Sequence, residues 1–195
     1  MAKPLSILTG AVLTVCLALP VQADWYLDNE SSRLSFISTK ADNLSEVHRF
    51  LTLHGKINDK GAARLRVELE SVSTGIPVRD ERLRSLLFET GKFPDAHIMA
   101  QLNLAPITDL APGAQLELTL PIQVEIRGRK HGYMADLLAT RLDDRRFQVV
   151  TMAPLVLHAE HFGLEEGVEA LRAVARLSSI SLSVPVGAVM IFTSR

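Results

Sequence analysis

Hydrophobic and polar residues alternate along most of this chain with a period of two. The cleanest run spans residues 116–126. Leu116, Leu118, Leu120, Ile122, Val124 and Ile126 fall on one face, and Gln115, Glu117, Thr119, Gln123 and Glu125 on the other, with Pro121 between them. Successive side chains of a strand point to opposite faces, so this is a strand with one dry and one wet surface. Ala63, Leu65, Val67 and Leu69 alternate in the same way with Arg64, Arg66, Glu68 and Glu70. Ile98, Ala100, Leu102 and Leu104 alternate with more polar neighbours, and residues 25–27, 33–39, 48–57, 133–141, 147–157 and 179–192 complete the set. Asn58-Asp59-Lys60-Gly61, Pro112-Gly113 and Asp143-Asp144 supply turns, and residues 127–132 read as a basic hairpin loop.

Two stretches break the alternation. Residues 71–97 lie between strands and carry no strand pattern of their own. Pro77 presets φ for the first helical turn, Asp80 and Glu81 place negative charge near its free N–H groups, and Leu83, Leu86 and Leu87 share one side. A short amphipathic helix laid across the open end of a sheet is the expected result. Residues 164–177 predict one longer helix, because Leu164, Val168, Leu171 and Ala175 recur at helical spacing. Glu165 and Glu166 stand at its positive end and Arg172 and Arg176 at its negative end. Gly167 weakens it by about 0.5–1 kcal/mol relative to alanine.

About eight antiparallel strands, each with one apolar face, either stack as a sandwich or close on themselves. Alternation alone does not choose between these. Composition narrows the function classes. At 195 residues, 47% hydrophobic and with formal charge −1, the chain fits one well-cored domain and lacks the basic surface that nucleic acid demands. Residues 1–23 read as a cleaved export leader: Lys3, an apolar run over 5–19, Pro20, then Val21-Gln22-Ala23 before Asp24. The run is short for a bilayer span, so no stable membrane anchor is expected. Cys16, the only cysteine, falls inside that leader, in a context poor for lipidation, so residues 24–195 form a domain without thiols. The expected location is the periplasm.

No nucleophile elbow, phosphate loop or dinucleotide fingerprint occurs. His158-x-x-His161 lacks the i, i+4 spacing of zinc proteases, and on a strand the two would face opposite ways. His48 and His54 would share a face yet stand too far apart for one ion. No metal, cofactor or catalytic residue is expected, and the chain reads as no enzyme.

The segment at 71–97 carries a resemblance. Ser71, Val72, Thr74, Arg79, Asp80, Leu83, Arg84, Ser85, Phe88, Lys92, Phe93 and Pro94 are similar to the signature of the YceI-like family, lipocalin-like periplasmic proteins regarded as isoprenoid-lipid binders. Glu125-Ile126-Arg127-Gly128 resembles the family's hairpin, and Phe162-Gly163-Leu164 its late Phe-Gly segment. Where the family pattern has His and Asp, this chain has Arg82 and Leu87; Arg129-Lys130-His131-Gly132 and His161 depart as well. The resemblance implies a mainly β fold, an eight-stranded antiparallel lipocalin-like barrel, with the short helix after Pro77 and the longer one before the last strand.

It also implies a ligand: one long isoprenoid or fatty-acyl lipid held in an apolar interior. Alternation points Phe36, Leu51, Leu53, Leu65, Val67, Leu102, Leu118, Leu120, Ile122, Val149, Leu182 and Val184 inward, with Phe88 and Phe93 near the mouth. Arg79, Arg82 or Arg84 could receive a polar headgroup; otherwise Arg79 and Asp80 pair or hold loop backbone. A periplasmic lipid carrier is therefore expected. The alternative is a barrel filled by its own side chains that serves as a structural or interaction module, and a homodimer stays open for either.

Overall fold

The computed structural model describes residues 24–41 and 43–195; the expected leader, including Cys16, lies outside the described residues. Twelve strands form in chain order: β1 Trp25–Leu27, β2 Arg33–Lys40, β3 Leu44–Phe50, β4 Leu53–Ile57, β5 Ala62–Glu68, β6 Val72–Ser73, β7 Asp95–Gln101, β8 Gln115–Ile126, β9 Arg129–Asp143, β10 Arg146–Thr151, β11 Leu155–His158 and β12 Ser183–Ser194. Helix α1 covers Pro77–Arg82, α2 Ala105–Thr108 and α3 Glu165–Ala175.

Every ladder is antiparallel, and the sheet runs β1-β4-β5-β7-β8-β9-β10-β12-β2-β3-β6, with β11 also on β12. Closure comes from β1, which pairs on one edge with β4 (Trp25 opposite Ile57) and on the other with β12 (Trp25 opposite Ser194). β2 continues β1, β4 continues β3, and β11 continues β10, so the ring is an eight-stranded up-and-down barrel. Closing the ring leaves no sandwich edge to protect.

The breaks within strands are stitched by side chains. Between β3 and β4 the amides of Leu51 and Thr52 both donate to Ser71 Oγ, at 3.1 and 3.0 Å, and the Leu53 amide donates to Asn29 Oδ1 at 2.7 Å. The continuous strand expected over 48–57 is therefore two strands. The break turns Leu51 outward (51% exposed) while Leu53 stays buried. It also separates His48, which is buried, from His54, which is exposed and bonded to Glu68 at 2.8 Å; the two do not share a face.

The alternation of β8 survives intact through a long ladder with β9, from Gln115 opposite Thr140 to Ile126 opposite Arg129. The hairpin between them is only Arg127-Gly128, both at positive φ (50° and 74°), the backbone that two-residue β-turns use. Residues 129–132, expected as loop, are strand. Pro121 fits because β7 pairs with β8 only from Ile122 onward, so no ladder bond is lost on that edge.

The helices gather at the end of the barrel where β5 leaves and β7 enters. After Arg82 the helix widens into a π-helical turn, Leu83–Phe88, that ends at Glu89 in the left-handed region (φ 50°). Helix α3 lies against this turn. It is shorter than the sequence predicts, since Arg176 turns left-handed at φ 54°, and β12 starts later, at Ser183. Helix α2, not expected, lies at the opposite end with Ile107 and Leu110 packed on Trp25, Phe147 and Phe192.

Candidate functional site

Inside the barrel is a cavity of about 340 Å³, within the ~300–1,000 Å³ of ordinary ligand pockets. Its wall is almost wholly apolar, and the reason is the inward row of each strand. β5 contributes Ala63, Leu65 and Val67, β7 Ala96, Ile98 and Ala100, and β8 Leu118 through Ile126 at alternate positions. Ala135 and Ala139 of β9 face Leu120 and Leu116 of β8 across the ladder, and these small side chains leave room that leucines would occupy.

One end is roofed by the π-helical turn and α3: Leu83, Leu87 and Phe88 from the first, Leu164, Val168 and Leu171 from around the second. A Cβ on Gly167 would stand 2.8 Å from the Leu86 carbonyl oxygen and 3.0 Å from Leu87 Cα, so glycine is what lets the two helices meet. The other end is packed by Trp25 edge-on to Phe147, with ring centroids 4.7 Å apart, and by Phe192.

Most residues expected inward border this cavity: Phe36, Leu65, Val67, Phe88, Leu102, Leu118, Leu120, Ile122, Val149 and Val184. Others do not. Leu51 is turned out by the strand break. Leu53 is sealed in the wall at 2% exposure. Leu182 precedes β12 and packs against the core without bordering the cavity. Phe93 stands outside, with the Arg127 guanidinium 5.7 Å from its ring centre. Trp25, Phe147, Phe192 and the α3 residues were missed. The apolar stripe of α3 was legible, but which cavity it covers depends on the packing.

The candidate headgroup arginines do not reach the interior. Arg79 donates to Glu46 Oε2 and to the Thr74 carbonyl, each at 2.7 Å. Asp80 does not pair with Arg79; it accepts from the Thr74 amide (2.8 Å) and hydroxyl (2.5 Å). Arg84 donates to the Glu70 carbonyl at 2.8 Å. Arg82, half-buried beside them, does not border the cavity either.

Two polar clusters adjoin the cavity. Under α1, Glu46 pairs with Lys40 (2.5 Å) and with Arg79, and the hydrogen bond from Lys40 holds its carboxyl below the usual range. His48 is next to them, 4% exposed, its ring 5.3 Å from that of Phe36 and its Nε2 2.9 Å from Ser38 Oγ. Burial, and then the Arg79 charge, push the His48 pKa below its ordinary value.

The second cluster lies between β9 and β11. His161 is not on a strand but in a 3-10 turn, Ala159–Phe162, so its ring stacks on His131 at 3.6 Å and lies 5.3 Å from His158. Tyr133 Oη is 2.9 Å from His161 Nδ1. Desolvation, then the neighbouring His131 and His158, lower the His161 pKa. Among the described residues no group of three or more histidines, cysteines or acids is arranged to hold a metal ion.

Comparison with known proteins matches this architecture. A family model described as YceI-like domain covers residues 25–190. A polyisoprenoid-binding domain from Saccharophagus degradans, implicated in plant cell wall breakdown, is 35% identical at a TM-score of 0.86, over 88% of this chain and 98% of that one. BcnA of Burkholderia cenocepacia shares the fold at 14% identity and TM-score 0.65, over 85% and 98% of the two chains. A YceI protein of Campylobacter jejuni does so at 12% and 0.53, over 76% and 84%. No curated protein matches the sequence.

Proposed function

The chain belongs to the YceI-like family, and on that premise we propose that it binds a single long isoprenoid or fatty-acyl lipid inside its barrel. The observation that carries this is the apolar cavity of about 340 Å³ enclosed by the closed sheet and roofed by the two helices. A hydrocarbon tail needs a continuous aliphatic lining and no polar partner, since each buried CH₂ contributes about 0.8 kcal/mol. The named ligand class of the Saccharophagus domain supports the same reading, because the two chains align over nearly the whole barrel. A barrel packed solid by its own leucines would have left no such space, so the filled-module alternative has no observation in its favour.

The carrier role and the address complete the proposal. The leader-like residues 1–23 point to export, and the thiol-free domain suits the periplasm. The protein works there as a binding protein and not as an enzyme. Purification from the native host, organic extraction and mass spectrometry test the reading. A stoichiometric isoprenoid or acyl lipid is expected; a native mass equal to the bare chain, together with failure to take up added lipid, would overturn it.

A further inference from the structure

Nearly every polar group bordering the cavity already has a partner. The Thr108 hydroxyl donates to the Leu104 carbonyl at 3.2 Å, Thr151 Oγ1 accepts from the Ala188 amide at 3.0 Å, and the Ser181 hydroxyl donates to the Ser183 carbonyl at 3.0 Å. Lys56 and Arg64 sit at outward positions of β4 and β5, and the Lys56 ammonium is held by Asp24 at 2.6 Å.

Ser38, like Thr151, accepts a hydrogen bond without an acceptor for its own proton among the described residues, and what orients Ser38 is His48. The ring is buried and its pKa is lowered, so it is neutral and carries one N–H. If Nδ1 held that hydrogen, a donor would be shut away without an acceptor, because Nδ1 has no partner among the described residues. The neighbouring Arg79 cation also has an Nε–H without a partner among the described residues, so this pocket already holds one unanswered donor. The hydrogen therefore belongs on Nε2, which donates to Ser38 Oγ at 2.9 Å. Ser38 accepts that bond, and its own proton is left to donate from the cavity wall.

The surroundings fix what Ser38 can meet. The Ser181 amide donates to the Thr39 carbonyl at 2.8 Å, and His158 lies opposite Ser183, with Nδ1 3.2 Å from Ser183 Oγ. Ser38 and Ser181, on adjoining segments, border the cavity as a polar corner of a hydrocarbon-like wall, and His158 borders the same cavity. Lys40 and Arg79 share the one Glu46 carboxylate, and Asp80 also acts on His48, so among the described residues two cations face two carboxylates and no net positive charge is left for a phosphate.

We propose that Ser38, oriented by His48, donates a hydrogen bond to an uncharged oxygen on the head of the bound lipid, so that this chain selects neutral acceptor-bearing lipids over anionic ones. This rests on the lipid-binding reading and names the head that such a tail carries: a carbonyl, ester or ether oxygen, not a phosphate. Desolvating a phosphate beside this corner leaves a charge without a counter-ion, whereas a carbonyl needs one donor.

Equilibrium binding of geranylgeranyl acetate, geranylgeranyl phosphate and the parent hydrocarbon to the delipidated full domain tests the proposal. The acetate is expected to bind about five- to tenfold tighter than the hydrocarbon, the worth of one hydrogen bond, and tighter than the phosphate. Ser38→Ala brings the acetate to the level of the hydrocarbon, and Ser38→Thr retains the preference. In the wild-type complex the infrared stretch of a ¹³C-labelled ester carbonyl moves to lower wavenumber than in hexane, a readout that needs no variant. An unshifted carbonyl, an unchanged preference in Ser38→Ala, or tightest binding of the phosphate would overturn the headgroup assignment while the tail site stands. Failure of all three lipids to bind would remove the lipid-binding reading itself, and the headgroup with it.

Discussion

Gly167 of α3 sits directly against Leu86, so close that a Cβ in its place would lie 2.8 Å from the Leu86 carbonyl oxygen. Helix propensity and packing therefore oppose each other at this position. In an exposed helix Gly→Ala gains about 0.5–1 kcal/mol. Here the neighbour is backbone, which cannot swing away, and overpacking costs about 1–3 kcal/mol. Gly167→Ala is expected to lower stability in urea unfolding and to lift α3 off the roof; a rise in stability would show that the helices separate freely.

Ser71 holds together the break between β3 and β4. Its Oγ accepts from two amides and its proton goes to the Glu68 carbonyl at 2.6 Å. Ser71→Ala takes the acceptor from the Thr52 amide, while the Leu51 amide keeps the Ser71 carbonyl at 3.1 Å, at a cost of about 1–3 kcal/mol. Urea melts should show the lower midpoint with an unchanged m-value, because the same surface is exposed on unfolding.

Filling the cavity should separate binding from stability. Ala135 faces Leu120 across the β8–β9 ladder and borders the empty space. Ala135→Phe places an aromatic ring in that space, where a filled core would resist it at about 1–3 kcal/mol. The expected outcome is a melting temperature within a few degrees of wild type and at least a tenfold loss of long-chain lipid uptake, measured by tryptophan quenching or extraction.

Acid should destabilise the fold in a window set by His48. Its folded pKa is depressed below the usual 6.5 by burial and then by Arg79. The unfolded chain therefore takes up a proton before the folded one does. Stability from this group is complete above about pH 6.5 and declines as pH falls toward the lowered folded value. His161 acts in the same direction, by desolvation and its histidine neighbours. His48→Gln should remove roughly one proton of uptake from the pH dependence of unfolding between neutral and mildly acid solution; an unaltered slope would mean that the ring titrates normally in the folded state.

The amino-acid sequence alone determined the strands and the dryness of what they enclose. Leu116 through Ile126 can alternate so regularly only in a structure of period two, and the stripe Leu164, Val168, Leu171 can only be a helix with one buried side. The residues matching the family signature around Arg79-Asp80 pointed to the barrel. Long-range pairing decided the rest. Closure depends on Trp25 meeting both Ile57 and Ser194, and no local pattern distinguishes that from a sandwich. One irregular step at Leu51-Thr52 reversed the facing of Leu51, because a strand's alternation carries only as far as its ladder runs unbroken. From its neighbours in sequence Arg79 reads as a loop-holding residue with a headgroup role as the other possibility, and the fold decided it by bringing Glu46, 33 residues away, to its guanidinium. His131 and His161 became neighbours for the same reason. Periodicity is a property of neighbours along the chain, and the polar partners of a site are chosen by which distant strands come to lie side by side.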